Sequence, residues 1–561
     1  MNKYFAHKFK TLLQEIYGEK YHEGDEEQIL DLGKKYYSHR ERPLLNESDN
    51  CLIIYPDAIS DGMKPTLAVL DNFIRDNINF INNLHILPMF EYTSDDGYAV
   101  TDYLKIRKEC GSWDDVEHLS SRYGLILDLV INHVSSQSPW LKKYLDGEEA
   151  YRDFFIEYKE DFDFSCVVRP RDSDLFHEYE GKAGKKKLWT TFSEDQVDLN
   201  YANYQVLLKV LGIIGEYLKH GARGIRLDAV CYLWKESGKS CCNLEKTHKV
   251  IQLIRAFMEM TAPGSVLLSQ TNVTADENMK YFGDGSNEAG LIYQFALPPL
   301  VLYSILSGNA EKLSAWASEI KRESDTATYF NFLGGHDGIG LRPVSKILSD
   351  EDITLLAENT EAEHGKVSWS VKPDGSPEPY ELNISYLSAL TQSEDTDEVR
   401  IRKMLAAHAI MCSLAGIPAL YYHGVFGSEN DLEGMKKSGI VRRINRQKFE
   451  ASELCGELSD TLLRKGILSG IRRMLEVRAK NRAFDPYGFQ KILSIGAEIF
   501  AVERWSQNGG KHILAVINVS RRCQTIEFKG KNYTDILTGR HFENQIEMQG
   551  YEYLWLSGTF E

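Results

Sequence analysis

Short apolar runs alternate with helix-length segments through roughly the first 480 residues of the chain. An apolar run of about four to eight residues bounded by turn residues is typical of a buried strand, and strands separated by helices are typical of a parallel sheet. Eight such runs predict an α/β fold built on a closed (β/α)8 TIM barrel. The runs begin at residues 51, 84, 125, 224, 266, 290, 328 and 416.

Two connections in this pattern are too long for ordinary loops, and the last part of the chain has a different pattern. Residues 134–200 are expected to form a subdomain inserted after the third strand, and residues 340–395 a second one after the seventh. Between residues 485 and 561, hydrophobic and polar positions alternate between turns, which predicts a C-terminal antiparallel β domain. The barrel is then assigned to residues 1–133, 201–339 and 396–484.

Composition narrows the class of protein. Apolar residues make up 43% of the 561 positions, and the formal net charge of −17 disfavours nucleic acid and anionic membranes as partners. The most apolar window, residues 405–422, is interrupted by His408 and Pro418, so it predicts a buried helix followed by a core strand instead of a membrane span. The first residues show no secretory signal, and nine scattered cysteines without C-x-x-C spacing favour reduced thiols, so a cytoplasmic protein is expected.

Polar and ionisable side chains follow the predicted strands at their carboxyl ends, where the active site of a β/α barrel lies. Side chains alternate along a strand, so Arg226 and Asp228 in "GIRLDAV" share one face. We expect the arginine to lower the pKa of the carboxyl group and keep it ionised, as a nucleophile must be. The other polar groups at strand ends are Asp95, Asp96, Asn132, His133, Gln270, Asn272, His336 and Asp337.

Each of these motifs alone also has a structural explanation. An Arg-Asp pair can be an ion pair inside a barrel, an Asn-His pair can cap a loop, and a His-Asp pair can lie in a turn. Their joint occurrence at the ends of the third, fourth and seventh strands favours one common site over three coincidences.

Four stretches of the chain resemble sequence regions of the α-amylase clan, glycoside hydrolase family 13. They are "LDLVINH", "QVDLN", "GIRLDAV" and "FLGGHD". Longer stretches, among them "TSDDGYAVTDY" (93–103), "LWTTFSEDQVDLNY" (188–201) and "QTNVTADENMKYFG" (270–283), resemble the sucrose phosphorylase subfamily, most nearly its glucosylglycerate phosphorylase branch. The resemblance extends over essentially the whole chain.

This resemblance implies an enzyme that cleaves an α-glucoside with phosphate and retains the anomeric configuration through a covalent glucosyl-enzyme. Asp228 would be the nucleophile, and Asp337 would stabilise the oxocarbenium-like transition state. Asp95 would hold the far hydroxyls of the glucose, with Tyr98 as an aromatic platform. Inorganic phosphate would be the co-substrate, and no cofactor or metal is expected. The remaining glucose contacts implied by the resemblance are His133, Arg226, His336 and Arg446.

Gln270 departs from the subfamily pattern, which implies a glutamic acid at this position. Retaining chemistry uses two carboxyl groups about 5 Å apart, one attacking and one shuttling the proton. An amide has nearly the same shape but cannot protonate a leaving alkoxide. Three interpretations are open: a deliberate Glu→Gln substitution in an active phosphorylase, a natural homologue that has become a binding or slow-transfer protein, or another acid such as Glu288 or Glu381 taking over.

Phosphate and the acceptor would occupy one outer subsite in turn, and that subsite needs positive charge. Arg169 and Arg171 are candidates, as are Arg442 and Arg443. The stretch "PYELN" resembles the acceptor-side loop of the subfamily and is expected to move; it contains Tyr380, Glu381 and Asn383. A glycerate acceptor is favoured, with sucrose, sucrose 6'-phosphate or glucosylglycerol as alternative glucosides. A hydrolase of the clan and a non-catalytic sugar-binding protein also stay open. The partners are expected to be carbohydrate and phosphate, and the protein a monomer or homodimer.

Overall fold

A closed barrel of eight parallel strands forms the centre of the molecule, which is described for residues 2–170, 173–371 and 376–558 of a computed structural model. All eight predicted strands are confirmed. Their residues are almost entirely buried, as expected for parallel strands covered by helices. The strands are β1 Cys51–Ile54, β2 Asn83–Ile86, β3 Gly124–Val130, β4 Gly224–Asp228, β5 Val266–Ser269, β6 Leu291–Tyr293, β7 Thr328–Phe332 and β8 Ile417–Tyr421.

Helices surround the barrel, and helix Asp397–Ser413 leads directly into β8, as the apolar window predicts. Helices Asn2–Tyr17 and Asp25–Lys35 precede the barrel and pack on its outer helices. Within the described ranges, every helix is too short or too polar to span a bilayer. The other helices of six or more residues are Thr66–Asn77, Trp113–Ser120, Pro139–Leu145, Tyr204–Lys219, Glu245–Thr261, Leu297–Ser307, Glu311–Glu319, Asp350–Ala362, Leu432–Ser438, Ala451–Asp460 and Leu462–Arg478.

Small sheets in the connections stand around the carboxyl end of the barrel. After β3, strand His133–Ser135 pairs with Gln196–Asp198, and a separate hairpin is formed by Phe176–Gly181 and Gly184–Trp189. After β7, a three-stranded sheet is formed by Ile339–Gly340, Lys366–Val371 and Pro377–Asn383. The hairpin after β2, Phe90–Tyr92 with Val100–Ile106, is not predicted from the sequence. Shorter elements are Ile59–Ser60, Phe449–Glu450, Ala275–Met279, Tyr386–Leu390 and Tyr422–Phe426.

The C-terminal part is an antiparallel sheet of six strands, which confirms the predicted β domain. It packs on the end of helix Asp397–Ser413, where the indole Nε1 of Trp555 donates to Ser413 Oγ at 2.9 Å. The strands are Phe489–Ile492, Ile499–Trp505, Ile513–Asn518, Gln524–Asp535, His541–Met548 and Tyr553–Gly558.

Candidate active site

A cavity of about 430 Å³ opens at the carboxyl ends of the barrel strands. Most of the sequence-predicted site residues converge on it, although they come from separate strands and loops. This convergence follows from the parallel barrel, which brings all eight strand ends to one side. The predicted residues that line the cavity are Asp95, Tyr98, His133, Asp228, Gln270, Asn272, His336, Asp337, Tyr380, Glu381, Asn383 and Arg442.

Asp228 ends strand β4 and shares a guanidinium group with Asp128 on the neighbouring strand β3. Arg226 Nη1 lies 2.9 Å from Asp228 Oδ1 and 2.7 and 2.8 Å from the two carboxylate oxygens of Asp128. Arg226 is 1% exposed and does not line the cavity, so it orients Asp228 from within the barrel. The two carboxylates share its Nη1, and a contact between Arg226 and the sugar stays a prediction.

Arg226 lowers the pKa of Asp228 as expected, but it does not keep the net pKa low. Burial raises the pKa of this carboxyl group to about 7, and the attraction of Arg226 offsets only part of that rise. The nearby charges of Asp128 and Asp337 push the pKa in the same direction as burial. Asp228 is therefore poised between its neutral and ionised forms near neutral pH.

Gln270 follows strand β5 and is fixed beside the nucleophile candidate. Its side-chain Oε1 accepts a hydrogen bond from the backbone N–H of Ala229 at 2.9 Å. The backbone N–H of Gln270 donates to the carbonyl oxygen of Leu227 at 3.1 Å. Ala229 has a positive φ of 52°, so the chain turns sharply directly after Asp228. The amide is thus held against the residue next to Asp228, in the same cavity wall.

Asp337 lies in the loop after β7 and is paired with Arg442. Arg442 Nη1 donates to Asp337 Oδ1 at 2.7 Å. Burial favours the neutral form of Asp337, but the positive charges of Arg442, Arg446 and Arg226 together outweigh burial and hold the pKa well below its usual range. Burial lowers the pKa of the neighbouring His336 to about 3, so its imidazole is neutral. Asp337 is thus a permanently charged acceptor at neutral pH.

The floor of the cavity is built from Tyr98, His133 and Asp95. The ring of Tyr98 stacks on His336 with centroids 4.8 Å apart, and its hydroxyl donates to Asp128 Oδ2 at 3.2 Å. His133 Nε2 lies 2.9 Å from the carbonyl oxygen of Tyr98, which fixes the imidazole in the wall. Asp95 occupies a left-handed backbone conformation with φ of 53° and lines the cavity.

Arg446 is expected among the sugar contacts but lies behind the cavity wall. It is 2% exposed, and its Nε donates to the carbonyl oxygen of His336 at 2.8 Å. Its Nη1 donates to Asp96 Oδ2 at 2.8 Å and lies 3.7 Å from Asp95 Oδ1. These partners occupy its Nε and Nη1, so Arg446 holds together the two loops that carry Asp95 and His336, and its contact with the sugar stays a prediction.

On the outer side of the cavity, Arg442 also pairs with Glu381. Its Nε and Nη2 donate to the two oxygens of Glu381 at 3.1 and 2.7 Å, a bidentate arrangement. Tyr380 accepts a hydrogen bond from Asn272 Nδ2 at 3.1 Å through its hydroxyl oxygen. Arg169 is exposed and does not line the cavity, and Arg171 lies outside the described residues. Among the candidate arginines that the structure describes, Arg442 is the one that lines the cavity.

Sequence reasoning does not find Trp369, Ile440 and Val441, which also line the cavity. Their exposure depends on the tertiary arrangement, and no local pattern in the sequence marks it. Among the described residues, no cluster of three or more His, Cys, Asp or Glu side chains is arranged to hold a metal ion.

Residues 54–354 match the family described as alpha amylase, catalytic domain. The chain is 42% identical to a glucosylglycerate phosphorylase of Spirochaeta thermophila over 532 residues, which cover 91% of this chain and 90% of that protein. It is 37% identical to the glucosylglycerate phosphorylase of Escherichia coli over 557 residues, covering 98% and 99%. The crystal structure of sucrose 6F-phosphate phosphorylase from Thermoanaerobacter thermosaccharolyticum has the same fold, with a TM-score of 0.74, 22% identity and coverage of 89% and 98%.

Proposed function

The chain belongs to the alpha-amylase family, and from this premise we propose that it is a retaining α-glucoside phosphorylase acting on a glucosylglycerate-like substrate. The observation that carries the proposal is the placement of Asp228, Asp337 and Gln270 in one cavity wall at the carboxyl ends of the barrel strands. The names of the two glucosylglycerate phosphorylases compared above support glycerate as the acceptor and phosphate as the co-substrate.

In the proposed mechanism, the ionised carboxylate of Asp228 attacks the anomeric carbon of the glucoside. A bond forms between a carboxylate oxygen and that carbon, while the bond to the leaving oxygen breaks with its electron pair. Arg226, 2.9 Å from Asp228 Oδ1, orients the attacking group, and the charged Asp337 stabilises the positive charge that develops on the sugar. Phosphate then attacks the same carbon and releases Asp228, which gives glucose 1-phosphate with retained configuration.

Gln270 limits this cycle, because the leaving alkoxide needs a proton that an amide cannot supply. General acid catalysis contributes roughly 10²- to 10⁴-fold, and the loss is greatest for a poor leaving group. The chain is therefore proposed to react very slowly with a glucoside, whereas glucose 1-phosphate, which has a good leaving group, still forms the glucosyl-enzyme.

Arg442 is the proposed receptor for phosphate and for the glycerate carboxylate. The edge of its guanidinium that now binds Glu381 has the fork geometry that phosphate and carboxylates accept. Either anion has to compete with Glu381 for this edge. Arg169 and Arg171 stay in the proposal as additional candidate cations that rest on the sequence alone.

Restoring the acid with Gln270→Glu tests the proposal. The variant is incubated with 2-O-α-glucosylglycerate and phosphate, and glucose 1-phosphate is the expected product. Free glucose as the sole product would indicate a hydrolase. Parallel incubations with sucrose, sucrose 6'-phosphate and glucosylglycerol test these alternative glucosides as substrates.

Gln270 also favours a second candidate, a sugar-binding homologue without turnover. Mass spectrometry of the quenched parent chain after incubation with glucose 1-phosphate separates the two. A hexose on the peptide that contains Asp228, absent in Asp228→Asn, is expected for the enzyme. Binding of sugar without such an adduct in either the parent or the Gln270→Glu variant would favour the binding protein.

A further inference from the structure

Loop 93–98 connects the two strands of the hairpin after β2 and carries Asp95 and Tyr98 to the catalytic cavity. Three consecutive residues of this loop have a positive φ, which is 53° at Asp95, 51° at Asp96 and 113° at Gly97. This backbone conformation is unfavourable for residues other than glycine, so it persists only where surrounding contacts hold it. The contacts of the loop therefore decide whether Asp95 stays in the cavity wall.

The carboxylate of Asp195 holds the start of this loop. Its Oδ2 accepts hydrogen bonds from the hydroxyl groups of Thr93 and Ser94. Its Oδ1 accepts from the backbone N–H and the hydroxyl of Ser136 at 3.1 and 2.6 Å, and from the hydroxyl of Ser135 at 3.2 Å. Burial alone would raise the pKa of this carboxyl group, but the hydroxyl donors outweigh burial and hold the pKa below its usual value. The carboxylate is thus ionised at neutral pH and ties the loop to the connection after β3.

Other contacts hold the end and the tip of the same loop. Gln196, which is 2% exposed, donates from Nε2 to the carbonyl oxygen of Tyr98 at 3.2 Å. At the tip, Asp96 accepts from Arg446 Nη1 at 2.8 Å and from the guanidinium of Arg443. These contacts lie after Asp95 in the chain, so the side before it depends on the hydroxyl groups that bind the carboxylate described above.

We propose that Asp195 is a positioning residue that keeps loop 93–98 in the strained form that places Asp95 in the cavity. Without this carboxylate, the loop relaxes toward ordinary backbone conformations, and Asp95 leaves the position that the proposed glucose contact needs. The apparent affinity for glucose then falls with the fraction of molecules whose loop is in place. The inference rests on the proposed function, because it takes the glucose to bind against Asp95.

Hydrogen exchange followed by mass spectrometry tests the order of the loop without a ligand. Asp195→Ala removes the acceptor and should speed exchange in peptides that cover loop 93–98 by roughly tenfold, while peptides from the barrel strands keep the rates of the parent. Asp284→Ala is the matched control, because Asp284 also accepts from a hydroxyl and from backbone N–H groups, those of Ser286 and Asn287, and does not line the cavity. The control should leave exchange in loop 93–98 unchanged.

Isothermal titration calorimetry with methyl α-glucoside measures the glucose site in the parent chain, because the amide of Gln270 slows turnover. Asp195→Ala should weaken binding by roughly tenfold, and Asp284→Ala by less than about twofold. Asp195→Asn is the conservative variant. Its amide keeps one acceptor oxygen and can donate to the hydroxyl oxygens of Thr93 and Ser94, so its affinity should stay within about threefold of the parent.

A double-mutant cycle determines whether Asp195 acts through Asp95. Asp95→Ala removes the proposed glucose contact, so adding Asp195→Ala to it should weaken binding by less than about twofold further. A general structural role of Asp195 would instead give the same roughly tenfold loss in both backgrounds.

Failure of the inference is distinguishable from failure of the proposed function. If the parent binds methyl α-glucoside and Asp195→Ala binds it equally well, or exchanges no faster in loop 93–98, the inference is refuted and the glucose site stands. Additive losses in the cycle with Asp95→Ala, or an Asp195→Asn variant as weak as Asp195→Ala, also refute it. If methyl α-glucoside does not bind the parent chain, the proposed function and the inference fail together.

Discussion

Replacing Asp228 by asparagine should stabilise the protein at alkaline pH and much less at acidic pH. Asp228 is 8% exposed, and burial raises its pKa from 3.8 to about 7. A carboxyl group with a raised pKa in the folded state binds its proton more tightly there than in the unfolded chain. Its ionisation therefore lowers the free energy of unfolding as the pH rises from about 4 to about 7, and the loss is constant above that range.

The size of the effect follows from the two pKa values. By the linkage relation, the raised pKa of Asp228 costs about 2 kcal/mol of stability at pH 5 and about 4 kcal/mol at pH 8. Asparagine removes this cost, and it also replaces a neutral carboxyl group by an amide. Because the exchange of one neutral group for another is independent of pH, its effect cancels when the two conditions are compared. The stability of Asp228→Asn relative to the parent should increase by about 2 to 3 kcal/mol between pH 5 and pH 8.

Urea unfolding followed by tryptophan fluorescence at matched ionic strength measures this difference. Asp57→Asn is the control, because Lys448 and Arg107 together outweigh burial and hold the pKa of Asp57 below its usual value. A carboxyl group with a depressed pKa contributes its full stabilisation above about pH 4 and loses it only in stronger acid. The control should therefore be destabilised equally at pH 5 and pH 8. A stability difference for Asp228→Asn that is the same at both pH values would refute the assignment of a raised pKa.

Two further predictions each remove one member of an ion pair. Glu381→Gln removes an ionic partner of Arg442 and frees its guanidinium for phosphate. In the Gln270→Glu background, this change should lower the KM for phosphate by roughly fivefold, or about 1 kcal/mol. An unchanged or higher KM in steady-state assays would contradict this prediction. Lys235→Met leaves the fully buried Asp198 without its cation at 2.6 Å and should lower the free energy of unfolding by about 3 to 5 kcal/mol. Urea unfolding checks the second expectation against Lys239→Met, an exposed change that should cost less than about 0.5 kcal/mol.

The barrel strands are predictable from the sequence because each is a local apolar run that is buried on both faces. The hairpin Phe90–Tyr92 with Val100–Ile106 is missed for the opposite reason, since its strands mix exposed and buried residues without a regular period. The same applies to strand His541–Met548 at the edge of the C-terminal sheet, where most side chains are exposed.

The sequence by itself determined which chemical groups stand at the strand ends, among them Asp228, Gln270 and Asp337, because strand alternation and parallel topology fix where those ends meet. Only the tertiary structure decided which charged side chains pair with one another. Arg442 joins Glu381 and Asp337, which are 61 and 105 residues away along the chain, and Arg226 is held between two carboxylates. Such pairings, and the burial that moves the pKa of Asp228 to about 7, depend on distances in space that no periodicity along the chain encodes.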